Sequence, residues 1–132
     1  MVSHYISNPM LIDGLKFDLR IYVVVTSIYP LRIYVYEEGL ARFATEKYKS
    51  PTQDDVQHST FRHLTNYSLN KYNKKGFINT ADDQSGSKWT ISGLRSFLRA
   101  NGINDSVLFH KINEIIYKTL LSVEPVLTQA FN

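Results

Sequence analysis

Residues 16–25 read KFDLRIYVVV, and this stretch decides the fold class. Successive side chains of an extended chain point to opposite faces. One face of such a strand is apolar and is formed by Phe17, Leu19, Ile21, Val23 and Val25. Lys16, Asp18 and Arg20 project from the other face at the start of the stretch. The pattern predicts a long, half-buried β-strand that carries two cations around one carboxylate.

The charged face of this strand has two interpretations. Two cations that flank a carboxylate on a rigid strand suit a nucleotide and a small charged substrate. Alternatively, Lys16, Asp18 and Arg20 form a ladder of surface ion pairs, which contributes little to stability. A following strand places Arg42 near the same surface as a third cation, and this favours the nucleotide site. The polar segment Arg62–Ser68 reads, taken alone, as a turn rich in hydrogen-bonding groups.

The first third of the chain predicts strands joined by short turns. Turns are predicted at Asp13-Gly14 and around Tyr29-Pro30, and they delimit a long strand from Lys16 to about Ser27. Alternation resumes over residues 31–36, a hairpin is predicted at Glu38-Gly39, and a further strand follows over residues 40–45. Strands joined this closely must be antiparallel, because parallel neighbours need long crossover connections.

The last third of the chain predicts two helices. Thr90 or Ser92 caps the first, and Gly102 ends it. The second starts near Asp105, and Pro125 kinks or ends it. Its apolar stripe consists of Leu108, Ile112, Ile115, Ile116, Leu120 and Val123. The polar residues 46–87 predict a long segment without regular structure. Strands followed by helices predict an α+β fold in which helices cover one face of an antiparallel sheet.

Composition narrows the class of protein. The 132 residues are 43% hydrophobic and 20% charged, which is typical of a globular domain or of part of one. The absence of cysteine excludes disulfides, thiolate zinc sites and a cysteine nucleophile. Neither a membrane span nor a signal peptide is predicted. Both ends of the chain lie within strand-like or helical sequence, so we expect an internal segment of a longer protein.

Charge is unevenly distributed around a net value of +3. Residues 56–81 contain no Asp or Glu. The basic stretch comprises His58, Arg62, His63, Lys71, Lys74 and Lys75. Such a stretch attracts anionic partners, or it is a solvated loop that happens to lack acids. Aromatic residues interleaved with basic ones are a pattern found in nucleic-acid-binding proteins. Most of the aromatic residues here, however, lie at strand positions where aromatics are favoured in any case. We therefore expect no nucleic-acid partner.

Several common site motifs are absent. The glycines form neither a Walker pattern nor G-x-G-x-x-G, so side chains and strand backbone must hold any nucleotide. His4, His58, His63 and His110 do not have the spacing of metal ligands. No G-x-S-x-G nucleophile motif occurs.

Four stretches carry a resemblance to a known family. They read YISNPMLIDGLKFDLRIYVVVTS (residues 5–27), PLRIYVYEEGLARFATEKY (30–48), HLTNYSLNK (63–71) and GSKW (86–89). In this order and spacing they resemble the catalytic region of the tubulin–tyrosine ligase-like family, which are amino-acid ligases of the ATP-grasp fold. The resemblance extends over residues 1–132 and is greatest to the tubulin polyglutamylases. It implies an ATP-grasp-like antiparallel sheet covered by helices, as the central part of an incomplete catalytic domain.

The resemblance also implies roles for individual residues. The backbone around His4, Tyr5 and Ile6 would be the hinge that reads the adenine edge. The other implied contacts to ATP are Lys16, Asp18, Thr65 and Asn66, and Lys16, Asp18 and Arg20 would be the catalytic set. The incoming amino acid would be held by Arg42, Ser68 and Lys88. Arg42 and Lys88 suit glutamate, because it offers two carboxylates to pair.

The implied reaction is ATP-dependent ligation of free glutamate to glutamate side chains of acidic tubulin tails. ATP would phosphorylate the acceptor carboxylate, and the amine of the incoming glutamate would attack the acyl phosphate. Mg²⁺ and protein cations would stabilise charge on the transferring phosphoryl group. The implied partners are tubulin and microtubules, with neither nucleic acid nor membrane. The implied location is the cytoplasm and cytoskeleton, with cilium, flagellum and basal body left open.

One departure from the family pattern matters. The family places its Mg²⁺ ligands in an E-x-N motif beyond the helices, and nothing in this chain matches that motif. We therefore assign no metal ligand within the chain and expect the Mg²⁺ ligands outside it. The isolated chain is expected neither to catalyse ligation nor to bind ATP tightly. A glycine- or tyrosine-adding ligase and a catalytically inactive microtubule-binding module remain the alternatives.

Overall fold

A computed structural model describes residues 4–50, 60–73, 76 and 86–131. A four-stranded antiparallel sheet has the order β1-β2-β3-β4. Its strands are β1 (Leu11–Ile12), β2 (Leu15–Ser27), β3 (Arg32–Lys47) and β4 (Lys88–Thr90). The predicted long strand and both of its flanking turns are confirmed. At the first turn Asp13 and Gly14 have positive φ angles of 51° and 76°. Glycine adopts such an angle without steric cost, and Asp tolerates it better than most residues.

The hairpin predicted at Glu38-Gly39 is wrong. Strand β3 continues through Gly39, which lies opposite Ile21 of β2. A Cβ atom at Gly39 would lie 2.2 Å from the carbonyl oxygen of Arg20, so the glycine permits close approach of the neighbouring strand. The register of β2 and β3 also shifts between Ile21 and Val23. The glycine therefore marks an irregularity of the sheet and not a turn.

Four helices are present in the described ranges. They are α1 (Thr60–His63), α2 (Tyr67–Asn70), α3 (Ile91–Ala100) and α4 (Asp105–Phe131). The cap predicted for the first long helix is confirmed, because the Thr90 hydroxyl accepts a hydrogen bond from the Gly93 amide at 3.0 Å. Gly102 follows the end of α3 with a φ of 73°. Of these helices, none is long and apolar enough to cross a lipid bilayer.

Two helix predictions need correction. Helix α4 begins at Asp105 as predicted and continues through Pro125 to Phe131, so the alternative that Pro125 ends it is wrong, while the alternative of a kink stays a prediction. Proline removes one backbone hydrogen bond, and Pro125 is exposed, so its ring displaces no packed side chain. The polar residues 46–87 also contain regular structure, because α1 and α2 lie within them.

The core lies between one face of the sheet and helix α3. Its buried residues are Ile12, Ala41, Phe43, Trp89, Leu94 and Leu98. Aromatic rings connect the layers: Phe43 lies 4.7 Å from Trp89 between ring centroids, and Trp89 lies 5.3 Å from Phe97. Phe17 and Leu19 of the predicted apolar face pack against this core. The α+β arrangement predicted from the sequence is therefore confirmed.

Candidate functional site

Asp18 and Arg42 are directly opposed in the β2–β3 ladder and form a two-pronged ion pair. Arg42 Nε donates to Asp18 Oδ1 at 2.9 Å, and Arg42 Nη2 donates to Asp18 Oδ2. The hydrogen bond with Asp18 raises the pKa of Arg42, against an opposing effect of burial. The predicted proximity of Arg42 to the charged face of β2 is thus confirmed. The two bonds fix the plane of the guanidinium group.

Three cations meet in one cleft, and Arg42 of this ion pair is one of them. The cationic cleft has a volume of about 260 Å³ and is lined by Arg20, Tyr22, Leu40, Arg42, Tyr67 and Lys88. Lys88 is the ladder partner of Arg42 on β4, so β2, β3 and β4 each contribute one cation to it. One carboxylate, that of Asp18, is paired with Arg42, which leaves the cleft with an excess of positive charge. Such a cleft suits a small anion with more than one carboxylate.

An aromatic ring supports one of these cations. Lys88 Nζ lies 4.7 Å from the centroid of the Tyr67 ring, at the start of α2. This distance is typical of a cation–π contact. Ser68, the neighbour of Tyr67, was predicted to hold the incoming amino acid, but it is exposed and does not line the cationic cleft. Within the stretch HLTNYSLNK (residues 63–71), Tyr67 is the residue that reaches the cleft. Nothing in the sequence distinguishes it from Ser68 in this respect.

A second groove lies beside the N-terminal segment. The hinge groove has a volume of about 570 Å³ and is lined by His4, Tyr5, Ile6, Asn8, Pro9, Met10, Lys16, Phe17, Leu19 and Leu108. It brings together His4, Tyr5, Ile6 and Lys16, the residues that the sequence had associated with the adenine edge and the phosphates. Mostly apolar walls that include the cation Lys16 suit a flat heteroaromatic ring that carries an anionic group.

Thr65 and Asn66 do not join these residues. Among the described residues, neither lines the hinge groove or the cationic cleft. Asn66 precedes α2 and its carbonyl accepts hydrogen bonds from the Asn70 amide and the Asn70 side chain, at 3.0 and 3.1 Å. The visible role of Asn66 is therefore to start a helix, while its implied contact with ATP stays a prediction.

Asn70 is a residue whose importance the sequence did not reveal. Its side chain is 1% exposed and lies against β3. Asn70 Oδ1 accepts from the Thr45 hydroxyl at 2.7 Å and from the Thr45 amide at 3.2 Å. Asn70 Nδ2 donates to the Leu64 carbonyl at 2.8 Å. These bonds anchor the segment HLTNYSLNK (residues 63–71) to the sheet and thereby place Tyr67 at the cationic cleft.

The residues that the structure describes do not form a magnesium site of protein ligands. Mg²⁺ prefers several oxygen ligands in octahedral geometry. Within the described ranges, no group of three His, Asp or Glu side chains is placed to hold a metal ion. Both carboxylate oxygens of Asp18 accept hydrogen bonds from Arg42.

The predicted basic stretch is only partly described. His58, Lys74 and Lys75 lie outside the described residues. Arg62 Nη2 lies 3.9 Å from Glu46 Oε2, so an acid from β3 approaches one member of the stretch.

Comparison with known proteins agrees with this architecture. The model of the tubulin-tyrosine ligase family matches residues 1–132. The sheet and helices correspond to the α+β, ATP-grasp-like class expected for part of a domain of that family. Tubulin polyglutamylase TTLL6 of Mus musculus is 45% identical over 128 residues, which are 97% of this chain and 15% of the relative.

Two further relatives are similarly close. Tubulin monoglutamylase TTLL4 of Mus musculus is 46% identical over 130 residues, which are 97% of this chain and 11% of the relative. Tubulin polyglutamylase TTLL5 of Homo sapiens is 44% identical over an alignment of 134 positions, which covers 98% of this chain and 10% of the relative. The chain thus spans between 10% and 15% of the length of these relatives.

Proposed function

This chain belongs to the tubulin-tyrosine ligase family, and we propose that it contributes the substrate-binding sheet of a ligase that adds glutamate to tubulin. The observation that carries the proposal is the cationic cleft, where Arg20, Arg42 and Lys88 meet beside one paired carboxylate. Glutamate has two carboxylates and can engage more than one of these cations. The names of the relatives, which are tubulin polyglutamylases and a monoglutamylase, support the same substrate.

In this proposal the two grooves bind different substrates. The hinge groove holds the adenine of ATP along residues 4–6, and Lys16, which also lines the groove, pairs with phosphate. The cationic cleft holds the incoming glutamate, with Arg42 oriented by Asp18 and Lys88 supported by Tyr67. When bound, ATP would supply the phosphoryl group that converts an acceptor glutamate carboxylate into an acyl phosphate, with release of ADP. The amine of the incoming glutamate would then attack the acyl carbon, form the isopeptide bond and release phosphate. Arg20 neutralises negative charge at this step.

The acceptor in this proposal is an acidic tubulin tail, which the basic stretch attracts electrostatically. Lys71 of the basic stretch is exposed and directly follows α2. Reversal of Lys71, Lys74 and Lys75 to Glu is expected to weaken binding of tubulin tails, as measured by microtubule co-sedimentation. Unchanged binding would refute this use of the stretch. A tubulin-modifying ligase acts at the cytoskeleton, and we propose that location.

The test uses the full-length protein that contains this chain. The protein is incubated with microtubules, ATP and either labelled glutamate or labelled glycine, and label on tubulin is counted. We expect glutamate to be incorporated. The Arg42→Ala variant should lose most of this activity, whereas Arg32→Ala, a change of the same residue type at the exposed start of β3, should not.

The other outcomes identify the alternatives. Incorporation of glycine and not glutamate would identify a glycine-adding ligase, whose substrate has no side-chain carboxylate for the second cation. Microtubule binding without incorporation of either label would identify an inactive binding module.

A further inference from the structure

A cluster of three side chains ties the N-terminal segment to the rest of the molecule. The tyrosine–histidine cluster consists of Tyr5, Tyr48 and His63, which come from the N-terminal segment, from the residue after β3 and from α1. Tyr5 Oη lies 2.9 Å from His63 Nδ1 and 3.5 Å from Tyr48 Oη. The His63 ring is in edge contact with both tyrosine rings, at centroid distances of 6.0 and 5.5 Å.

The cluster reaches the hinge groove through two residues. Tyr48 Oη donates to the carbonyl oxygen of Ser7 at 2.7 Å and so holds the backbone of the segment. Lys16 Nζ donates to Tyr5 Oη at 3.4 Å and lies 4.6 Å from the centroid of the Tyr5 ring. Burial and the hydrogen bond with Tyr5 raise the pKa of Tyr48. Its hydroxyl therefore keeps its proton and remains a donor to Ser7 over the working pH range.

Residues 4–10 depend on such contacts for their position, because they lie in no helix or strand. A segment outside strands and helices loses more conformational freedom when a ligand orders it than a segment whose backbone is already hydrogen-bonded in a sheet. Hydrogen bonds made before the ligand arrives remove part of that entropy cost from binding. The cluster supplies such bonds at two points of the segment, the Tyr5 ring and the Ser7 carbonyl.

We infer that Tyr48 and His63 are positioning residues that preorganise the N-terminal wall of the hinge groove for the purine ring of a nucleoside triphosphate. Neither residue lines the groove. Tyr48 acts through the Ser7 backbone, and His63 acts through Tyr5 and thereby on Lys16. The inference rests on the proposed function, since it presupposes that the hinge groove binds ATP. It adds two residues for which the family resemblance implied no role.

The first test replaces Tyr48 by Phe in the full-length protein, which removes the donor to Ser7 and keeps the ring. Tyr34→Phe is the matched control, because Tyr34 is 60% exposed at the far end of the β2–β3 hairpin. The KM for ATP, the KM for glutamate and kcat are measured for each. We expect Tyr48→Phe to raise the KM for ATP about fivefold, the effect of one hydrogen bond, with the other two constants unchanged.

The second test compares two variants of His63. Asparagine places a hydrogen-bonding atom near the position of Nδ1, whereas leucine places none there. His63→Asn should therefore retain more of the affinity for ATP than His63→Leu. Binding of a non-hydrolysable ATP analogue, followed by calorimetry, measures this without turnover. If His63→Leu fails to fold, the Tyr48→Phe comparison decides by itself.

The outcomes separate this inference from the proposed function. If the wild-type protein neither binds the analogue nor ligates glutamate, the proposed function is overturned and the inference falls with it. If the wild type is active but Tyr48→Phe and Tyr34→Phe have the same KM for ATP, the inference alone is overturned. A rise of both KM values together with a lower Tm would show a general structural role, which also overturns it.

Discussion

At the scale of the residue, the candidate site is built from side chains that hold one another in place. Asp18 orients the guanidinium group of Arg42, and the Tyr67 ring lies beside the ammonium group of Lys88. Long cationic side chains lose rotamer freedom when they bind a ligand. A cation that is already held by a neighbour has less freedom left to lose, so both contacts favour binding of an anion in the cationic cleft.

The contribution of Tyr67 can be separated from simple packing. Tyr67→Phe keeps an aromatic face for Lys88, and Tyr67→Leu removes it. Because an exposed cation–π contact is worth about 0.5–1 kcal/mol, we expect the leucine variant to raise the KM for glutamate about two- to fivefold. The phenylalanine variant should leave it unchanged, and the KM for ATP should not respond to either. Equal values for the two variants would show that the ring is not what supports Lys88.

At the scale of the element, β3 and α4 show how single positions define long segments. Strand β3 passes through Gly39 without a turn, and the position needs a glycine because a side chain there would meet the backbone of β2. Helix α4 begins at Asp105, whose side chain is 4% exposed and pairs with Arg95 at 2.6 Å and with Arg99 at 3.5 Å. A carboxylate in the first turn also interacts favourably with the positive end of the helix dipole.

Gly39→Ala is expected to disturb the sheet beside the cationic cleft. The added Cβ would lie 2.2 Å from the Arg20 carbonyl oxygen, so one strand must shift. Overpacking of this kind costs about 1–3 kcal/mol. Hydrogen–deuterium exchange should accelerate in peptides from β2 and β3. Gly102→Ala is a useful comparison, because no atom lies within 4 Å of its Cβ position and only its φ of 73° is unfavourable. Slow exchange in β2 of the Gly39 variant would contradict the expectation.

The contribution of Asp105 to the stability of the fold is expected to decrease at acid pH. The hydrogen bond from Arg95, with the charge of Arg99, lowers the pKa of Asp105 below its ordinary value of 3.8. A lowered pKa in the folded state stabilises the fold above the ordinary value, and this stabilisation is lost as the pH falls through the folded pKa. The difference in Tm between the wild type and Asp105→Asn should therefore be constant near neutral pH and shrink below about pH 4.

The control for this prediction is Glu114→Gln on the exposed part of the same helix. Glu114 lies 4.0 Å from His110 and from Lys118, contacts that contribute little in water. We expect the Tm of the Glu114→Gln variant to differ little from that of the wild type. A Tm difference for Asp105→Asn that persists unchanged into strong acid would disprove the electrostatic origin.

At the scale of the whole molecule, two apolar surfaces are exposed. One is the far end of the β2–β3 hairpin, formed by Tyr22, Val23, Val24, Val25, Tyr34, Val35 and Tyr36. The other lies on α4 and includes Val107, Ile115, Tyr117, Leu121, Val123 and Val126. Ile115 and Val123 had been predicted to belong to the packed stripe of this helix. Large apolar side chains that are exposed in such number favour association of chains.

The isolated 132-residue chain is accordingly expected to self-associate in a concentration-dependent manner. Val24 and Tyr34 are cross-strand partners in the hairpin and are 56% and 60% exposed. Replacement of both by lysine should reduce the weight-average mass in sedimentation velocity. Thr26→Lys adds a charge to the same strand at an exposed polar position and serves as the control. A wild-type chain that stays monomeric at the same concentrations would contradict this expectation.

The sequence by itself determined the features whose causes are local. Alternation over residues 16–25 predicted β2, the Asp13-Gly14 pair predicted a turn that needs positive φ angles, and Thr90 predicted the cap of α3. Each of these depends on the conformational preference of a few neighbouring residues, which a linear pattern records. The apolar face of β2 and the order of strands and helices were enough to predict the α+β class.

Only the tertiary structure decided the features that depend on register and on contacts between distant segments. The sequence around Gly39 is compatible with a turn, and only the Arg20 carbonyl beside it shows why the residue is a glycine within a strand. Tyr5 contacts His63 across 58 positions of the chain, and Asn70 contacts Thr45 across 25. No local preference encodes which side chains such distant segments bring together. The pairing of β2, β3 and β4 assembles the three cations of the cleft, because register determines which residues of different strands share a face.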